Sequence, residues 1–418
     1  MNERTVLELI RRRGPLSRAQ VARETGLSKP TVSLVLSSLV TAGLAREVGR
    51  SIGGKGPSAV LYELDPTAGW VVGIDVGRRW VRAAIADISG AIAARRDERA
   101  QARSARALIG QIGRVAHELA AEAGLHWEQV SYATIGSPGV FDPVRGLVEM
   151  APNLPGWGRH GIVEAVRDEL GTNVSFENDV NLAALGERAH GHGRGVENFV
   201  YLWVGTGVGI GIVLGGRLYR GARGAAGEIG YLPISAADPH DRAFRRRGAF
   251  EEAAAANGIV RTARQLGLQG PLTAERVFAA ARRGDASAMR AVDGEARLLA
   301  MAIATIAPIL DPEVVVLGGG VGRSDDLLLG PIERELHALS PFRPRIMAAA
   351  LGEDVVLHGA VATALEAARR EVFSRSSRRE GPRVHGTVAD VVRQGSGDGG
   401  RARTRPVAGT TRAGGGSR

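Results

Sequence analysis

VVGIDVGRRWVRAAIAD, residues 71–87, is the stretch on which the fold turns. A run of buried-strand character ends in Asp75, a glycine turn follows, and a second apolar stretch begins at once, the pattern of a tight hairpin. A carboxylate beside such a turn can order a metal-bound phosphate, and small residues let the backbone approach it. Arg78 and Arg79, however, occupy the turn. The stretch is therefore a nucleotide site, a lost one, or something else, and the surrounding chain has to decide.

At 418 residues and 44% hydrophobic content, the chain can bury cores for two or three domains, and a mean hydropathy near zero fits a soluble globular protein. No apolar run reaches the roughly 18 residues that a spanning helix needs. MNERTVLELIRRRG at the amino terminus lacks the uninterrupted apolar core of a secretion signal, so a cytoplasmic location is the expectation. With no cysteine anywhere, disulfides, thiol catalysis and cysteine-ligated zinc or iron–sulfur sites are excluded. The net charge of +10 is weak evidence by itself, because only two of 54 basic residues are lysines, a general preference for arginine. Its distribution says more: residues 1–66 hold 10 basic against 6 acidic side chains, residues 369–418 hold 12 against 4, and the middle is slightly negative. Basic ends around a near-neutral body suit a nucleic-acid contact at an end.

Three zones separate by pattern: a helical head (1–66), a body of alternating strands and helices (70–373), and a tail (374–418) rich in Gly, Arg, Ser and Thr. The tail reads as a disordered basic extension, solvated or brushing nucleic acid without preference. Body strands are expected at 70–74, 133–135, 173–176, 199–204, 209–214 and 314–317, with helices such as 105–123 and 289–309 between them, an α/β alternation. No short-period repeat is present.

In the head, Val6, Leu7 and Ile10 fall on one face of a first helix. Within LSRAQVARETGLSKPTVSLVLSSLVTAGL (16–44), Ser17 can cap a helix that turns Val21 and Ala22 inward, Gly26 supplies a turn, and Ser28 caps a second helix with proline in its first turn. Val32, Val35, Leu36 and Leu39 make the buried stripe of that helix. Two short strands at 44–48 and 59–64 flank SIGGKGPS, a glycine-rich loop, which completes a winged helix-turn-helix. Ser28, Lys29, Thr31 and Ser33 on the second helix, with Arg50 and Lys55 on the wing, are the candidate contacts to operator DNA. A head that merely mediates oligomerisation is the bland alternative.

Six motifs of the body, GIDVG (73–77), GSPGVFDP (136–143), PNLPGW (152–157), ENDVN (177–181), GTGVGIGIVLGGRLYRGARGAAGEIGY (205–231) and DPEVVVLGGG (311–320), together resemble the ROK family of sugar kinases and sugar-responsive repressors, whose repressors carry such a head. The resemblance implies a two-lobed actin-like and hexokinase-like fold with sugar held between the lobes. It implies that Asp179 matches the base that deprotonates the accepting hydroxyl in the kinases. Asn178 beside it, with Gly139, Asn153, Glu228 and Glu251, matches sugar-contacting positions. Gly205, Thr206 and Gly207 match a phosphate loop, and Gly318–Gly320 an adenosine-side turn. Taken singly, Asn153 is equally a turn residue, Glu251 a first-turn helix carboxylate, and Asn178 or Asp179 a strand-end cap.

Two departures from the family pattern bear on function. The first phosphate loop of the kinases keeps Asp75 and Gly77 here but has Arg78 and Arg79 for a glycine and a threonine, which fills the space a phosphate would need and disfavours ATP turnover. The family's zinc ligands are replaced by Tyr231, Arg242, Phe244 and Ala249, so no metal is expected, and His160 and His240 lack partners. Tyr231 also replaces a sugar-contacting group, with one hydroxyl to offer. Asp75 and Gly77 then read as scaffold of a turn, and Arg78 and Arg79 as surface cations or as a grip for an anionic ligand. The expectation is a DNA-binding regulator, a repressor of carbohydrate genes that works as a homodimer or homotetramer, without cofactor or catalysis. Its effector would be a sugar or sugar phosphate. The alternatives are an active ATP-dependent sugar kinase with a fused head, and a constitutive DNA binder with a vestigial cleft.

Overall fold

The computed structural model describes residues 2–51, 58–101, 103–142, 145–151, 154–234 and 247–378. The head has three helices, α1 (Asn2–Arg13), α2 (Arg18–Thr25) and α3 (Lys29–Thr41), and an antiparallel sheet in the order β1 (Leu16–Ser17), β3 (Val60–Leu64), β2 (Ala45–Arg50). Its boundaries are chemical. Ser17 Oγ accepts from Gln20 N at 3.3 Å while the Gln20 side chain accepts from Ser17 N at 2.8 Å, a reciprocal cap on α2. Gly26, at φ 72°, ends that helix, and Ser28 Oγ accepts from Thr31 N at 3.3 Å to start α3. Val32, Val35, Leu36 and Leu39 are buried on α3, as are Val6, Leu7 and Ile10 on α1, which is the helical period at work. Arg46 pairs with Glu63 across the wing strands. The loop between these strands, with Lys55, lies outside the described residues.

The body contains two five-stranded sheets of one plan. In the first the order is β10 (Asn173–Asn178), β7 (Val130–Ser137), β4 (Trp70–Val76), β5 (Trp80–Asp87), β6 (Ile92–Arg99); in the second it is β15 (Arg345–Ala348), β14 (Val314–Gly318), β11 (Phe199–Val204), β12 (Val208–Leu214), β13 (Arg217–Leu218). Each begins with three consecutive antiparallel strands, and each then adds two strands parallel to the first of these, reached through helices. This internal duplication is invisible as sequence repetition. A small hairpin, β8 (Val140–Asp142) with β9 (Leu147–Glu149), follows β7.

Helices α4 (Ala105–Glu122) and α5 (Ile162–Leu170) cover the first sheet, burying Ile112, Val115, Leu119, Val163 and Val166 against Val72, Ile74 and Val76. The second sheet is covered by α7 (Ala249–Ala254), α8 (Ala256–Gln265), α9 (Ala274–Arg282), α10 (Ala286–Leu310) and α11 (Asp325–Leu339). Between the sheets run α6 (Asp179–His190) and α12 (Val355–Arg378), the latter reaching into the stretch whose composition reads as tail. Residues from 379 onward lie outside the described ones.

The head's core does not close on itself. Val6, Leu7, Ile10 and Tyr62 share one hydrophobic cluster with Ala84 and Ala86 of β5, with Ile88 just after it, and with Leu357, Val361 and Leu365 of α12. Each fully buried aliphatic side chain contributes about 1.5–3 kcal/mol, so this seam is a substantial bond between head and body, and the two form one compact unit ending at Ser377. Among the described residues no helix is long and apolar enough to cross a membrane.

Candidate functional site

Strand β10 gives way to α6 between Asn178 and Asp179, which sets three polar side chains at one junction. Asn178 caps the helix: its Oδ1 accepts from Val180 N at 2.9 Å and Asn181 N at 3.1 Å, and its Nδ2 donates to Gly139 O at 2.9 Å. The structure thus commits the Asn178 oxygen to the helix and uses its amide to hold the loop after β7. Gly139 in that loop has φ 96°, and a Cβ there would lie 2.4 Å from Glu149 O, so only glycine lets the loop pass this close to β9. Glu177, to which the sequence reading gave no role, is buried and accepts from Asn181 Nδ2 at 2.8 Å and from Arg220 Nε at 2.6 Å. Arg220 follows β13, so this ion pair ties the first sheet to the second. In PNLPGW, Trp157 is fully buried and donates to Ser137 Oγ at 2.7 Å, while Asn153 lies outside the described residues.

Around this junction the structure gathers carboxylates. Asp179 sits in the first turn of α6, where aligned amides favour an anion, and accepts from Val180 N at 2.9 Å; burial still raises its pKa to about 6. Asp75, at the end of β4, is 8% exposed. Burial, and after it the charge of Asp179, lifts its pKa to about 7 against the pull of Arg82 at 3.5 Å. Glu228 is lifted to about 7 by burial, then by Asp179 and Glu251. Glu251, in α7, accepts from Val208 N at 3.1 Å, and burial raises it too. Tyr231, 41% exposed, is raised by burial, then by Glu228 and Glu251. Four distant motifs therefore form one electrostatic cluster. Asp75, read from the sequence as scaffold of a turn, lies within this cluster.

The glycine-rich turns lie beside this cluster. Gly205 N donates to Gly207 O at 2.9 Å, and a Cβ on Gly205 would lie 3.7 Å from Gly320 N, so the two turns abut. In the first hairpin Gly77 N donates to Trp80 O at 2.9 Å. Arg78 and Arg79 are exposed at its tip, where their side chains make no ion pair among the described residues. Arg82, two residues into the facing strand, takes the inner position: beyond Asp75 it reaches Glu353 at 3.1 Å, and Arg323, after the Gly318–Gly320 turn, reaches the same carboxylate at 2.8 Å. Glu353 thus bridges the sheets, a link no sequence spacing announces.

On the head, Ser28 and Lys29 are exposed while Thr31 and Ser33 are half-buried. Ser28 and Thr31 hydroxyls lie 2.7 Å apart and serve the cap of α3. Arg50 is exposed at the end of β2. Leu34 was not among the candidates, yet it is 75% exposed on the outer face of α3, a position its helical spacing from the buried stripe could have revealed.

Residues 5–49 match the IclR helix-turn-helix domain, and residues 71–367 match the ROK family. The chain belongs to the ROK family. A glucokinase from Halalkalibacterium halodurans is 34% identical over 64% of this chain and 86% of its own. The xylose repressor of Bacillus subtilis is 25% identical over 81% of this chain and 87% of its own. Among solved structures, a ROK family transcriptional regulator described as a homolog of the Escherichia coli MLC protein superposes with a TM-score of 0.76 over 90% of this chain and 98% of that one, at 22% identity. A ROK glucokinase from Streptomyces griseus, solved with glucose and AMPPNP, gives 0.59 at 28% identity over 71% of this chain and 100% of that one. Helix-turn-helix head and ROK body in one chain are the arrangement of the family's transcriptional regulators. The structural zinc expected in the family does not suit the residues at its positions: Ala249 is 6% exposed beside Phe250 and packs as core, Tyr231 offers one phenol, and Arg242 and Phe244, outside the described residues, carry no ligating group.

Proposed function

We propose that this chain is a sugar-responsive transcriptional regulator, a repressor of carbohydrate genes, that binds operator DNA through the winged head and an uncharged sugar in the cleft between the two sheets. The observation that carries this reading is the shared hydrophobic seam through which α12 joins a complete helix-turn-helix to the ROK body. Carboxylates poised around neutral pH accept hydrogen bonds from sugar hydroxyls, and their mutual repulsion disfavours an anionic ligand at that point. The domains act as a head at 1–66 and a body at 70–373, paired as a homodimer on a palindromic site. A sugar moves the head only by distinguishing two arrangements of the lobes. Xylose and glucose, the sugars named by its relatives, are the first effectors to try. Gel-shift assays on the promoter of its own operon test the reading. A retarded band that one of these sugars releases is expected, and no specific band with any promoter fragment contradicts it.

A second reading, an active sugar kinase with a fused head, is favoured by Asp179, whose place and raised pKa suit a general base, and by the glucokinase relatives. Arg78 and Arg79 in the first phosphate loop oppose it. Incubation of purified protein with ATP, magnesium and a panel of hexoses separates the readings, since sugar phosphate formed at enzymatic rates would overturn the non-catalytic one.

A further inference from the structure

A cavity of about 630 Å³ opens where α1 of the head meets α6 and α12 of the body. It lies at the end of α6 away from Asp179, so it is separate from the sugar cleft. Six arginines line it: Arg4, Arg11 and Arg12 from α1, Arg188 from α6, and Arg369 and Arg370 from α12. Among the described lining residues two are carboxylates, Glu8 and Glu366, and the charge of Asp87 also reaches Arg369. Glu8 accepts from Arg11 and Arg12, each at 2.6 Å, and Glu366 accepts from Arg370. Arg369 makes no ion pair with a carboxylate among the described residues; its guanidinium donates to Ile88 O at 2.8 Å and Ser89 O at 3.1 Å. Burial, and after it the Arg11 charge, lowers its pKa to about 10, while Glu8, Asp87 and Glu366 pull the other way. Arg4 and Arg188 are exposed at the rim and make no ion pair among the described residues.

We propose that this cavity binds a small polyanion, a phosphorylated metabolite with two or more charged groups, that pins the head to the body. Its volume falls within the roughly 300–1,000 Å³ of small-molecule sites. Guanidinium forks match phosphate oxygens in geometry and charge. Because the arginines come from the head and from two body helices, a bound anion would bridge all three elements. Water and chloride neutralise such a surplus only diffusely, whereas a polyanion would neutralise it in one place.

Titration calorimetry of the full-length protein with pyrophosphate, at constant ionic strength set by sodium chloride, tests the site. Saturable binding of one equivalent per chain is expected. It should weaken at least tenfold in an Arg4→Glu, Arg188→Glu double variant, whose melting temperature should hold because both side chains are exposed. The Asp179→Asn variant should bind pyrophosphate as the parent does, which keeps this result independent of the sugar reading. Absence of saturable heat, or equal affinity in the double variant, overturns the proposal. So does a double variant that loses affinity for a random duplex while pyrophosphate binds neither protein, since the arginines would then serve the DNA backbone.

Discussion

A Cβ on Gly359 of α12 would come within 1.8 Å of the carbonyl oxygen of Leu182 in α6, and one on Gly186 within 2.2 Å of Val355 O. The two helices cross backbone to backbone. Helix α6 begins at Asp179 in the cleft, and α12 begins just after Glu353, the carboxylate shared by Arg82 and Arg323. Through Leu357 and Leu365, α12 continues into the core of the head. The carboxylate cluster and the head are thus joined by continuous packing through this tight crossing.

Gly359→Ala sets two effects against each other. Alanine gains about 1 kcal/mol of helix propensity, but overpacking against a carbonyl costs about 1–3 kcal/mol and more when backbone must move. Net destabilisation of about 2 kcal/mol is expected from urea unfolding, as a lower midpoint at unchanged slope. A stabilised variant would refute the close crossing.

The cleft carboxylates make stability depend on pH. Asp75, Asp179 and Glu228 titrate at about 7, 6 and 7 when folded, above the ordinary 3.8 to 4.5. The folded chain keeps protons that the unfolded chain has released, so their contribution is full below about pH 4 and is lost as pH rises toward 7. Measured as the difference between parent and Glu228→Gln, the ligand-free melting temperature should shift in favour of the variant from pH 4 to 7. A difference that moves the other way would mean Glu228 is not held protonated.

The head was legible in the sequence almost residue by residue, because Ser17, Gly26 and Ser28 act locally and the buried stripe follows one period. The central strands were legible too, since 70–74 and 199–204 are runs without a charged residue. Strand β6, Ile92–Arg99, was not: an edge strand exposed along one face carries arginine and glutamate rather than an apolar run. The duplication of the two sheets was also hidden, because it resides in strand order. At the site, the resemblance placed Asp179, Glu228 and Glu251, but pairings across the chain such as Glu177 with Arg220 follow from topology and leave no local trace.

Ser17→Ala removes the hydroxyl that accepts from Gln20 N, the side-chain half of the reciprocal cap on α2, and should cost about 1 kcal/mol. Because the head shares its core with α12, the loss should appear in a single cooperative transition followed by circular dichroism. A separate early transition of the head would show the seam to be weaker than its burial implies.

Lys29→Ala and Arg50→Ala should weaken binding to any duplex alike, and each should reduce the slope of log affinity against log salt by about 0.9. Leu34→Ala should instead leave the slope unchanged and alter preference among sequences by about 1–3 kcal/mol, as an apolar contact to a thymine methyl would. An unchanged slope for both cationic variants would remove them from the interface.

The most direct test joins both ends of the molecule: fluorescence anisotropy with a duplex selected by the full-length protein, with and without sugars of a hexose and pentose panel. Sugar control predicts that one sugar shifts DNA affinity by about 5- to 150-fold, and that Asp179→Asn abolishes the shift while sugar-free DNA affinity stays as in the parent. A duplex affinity that no sugar moves, or an Asp179→Asn variant that responds as the parent does, would contradict it.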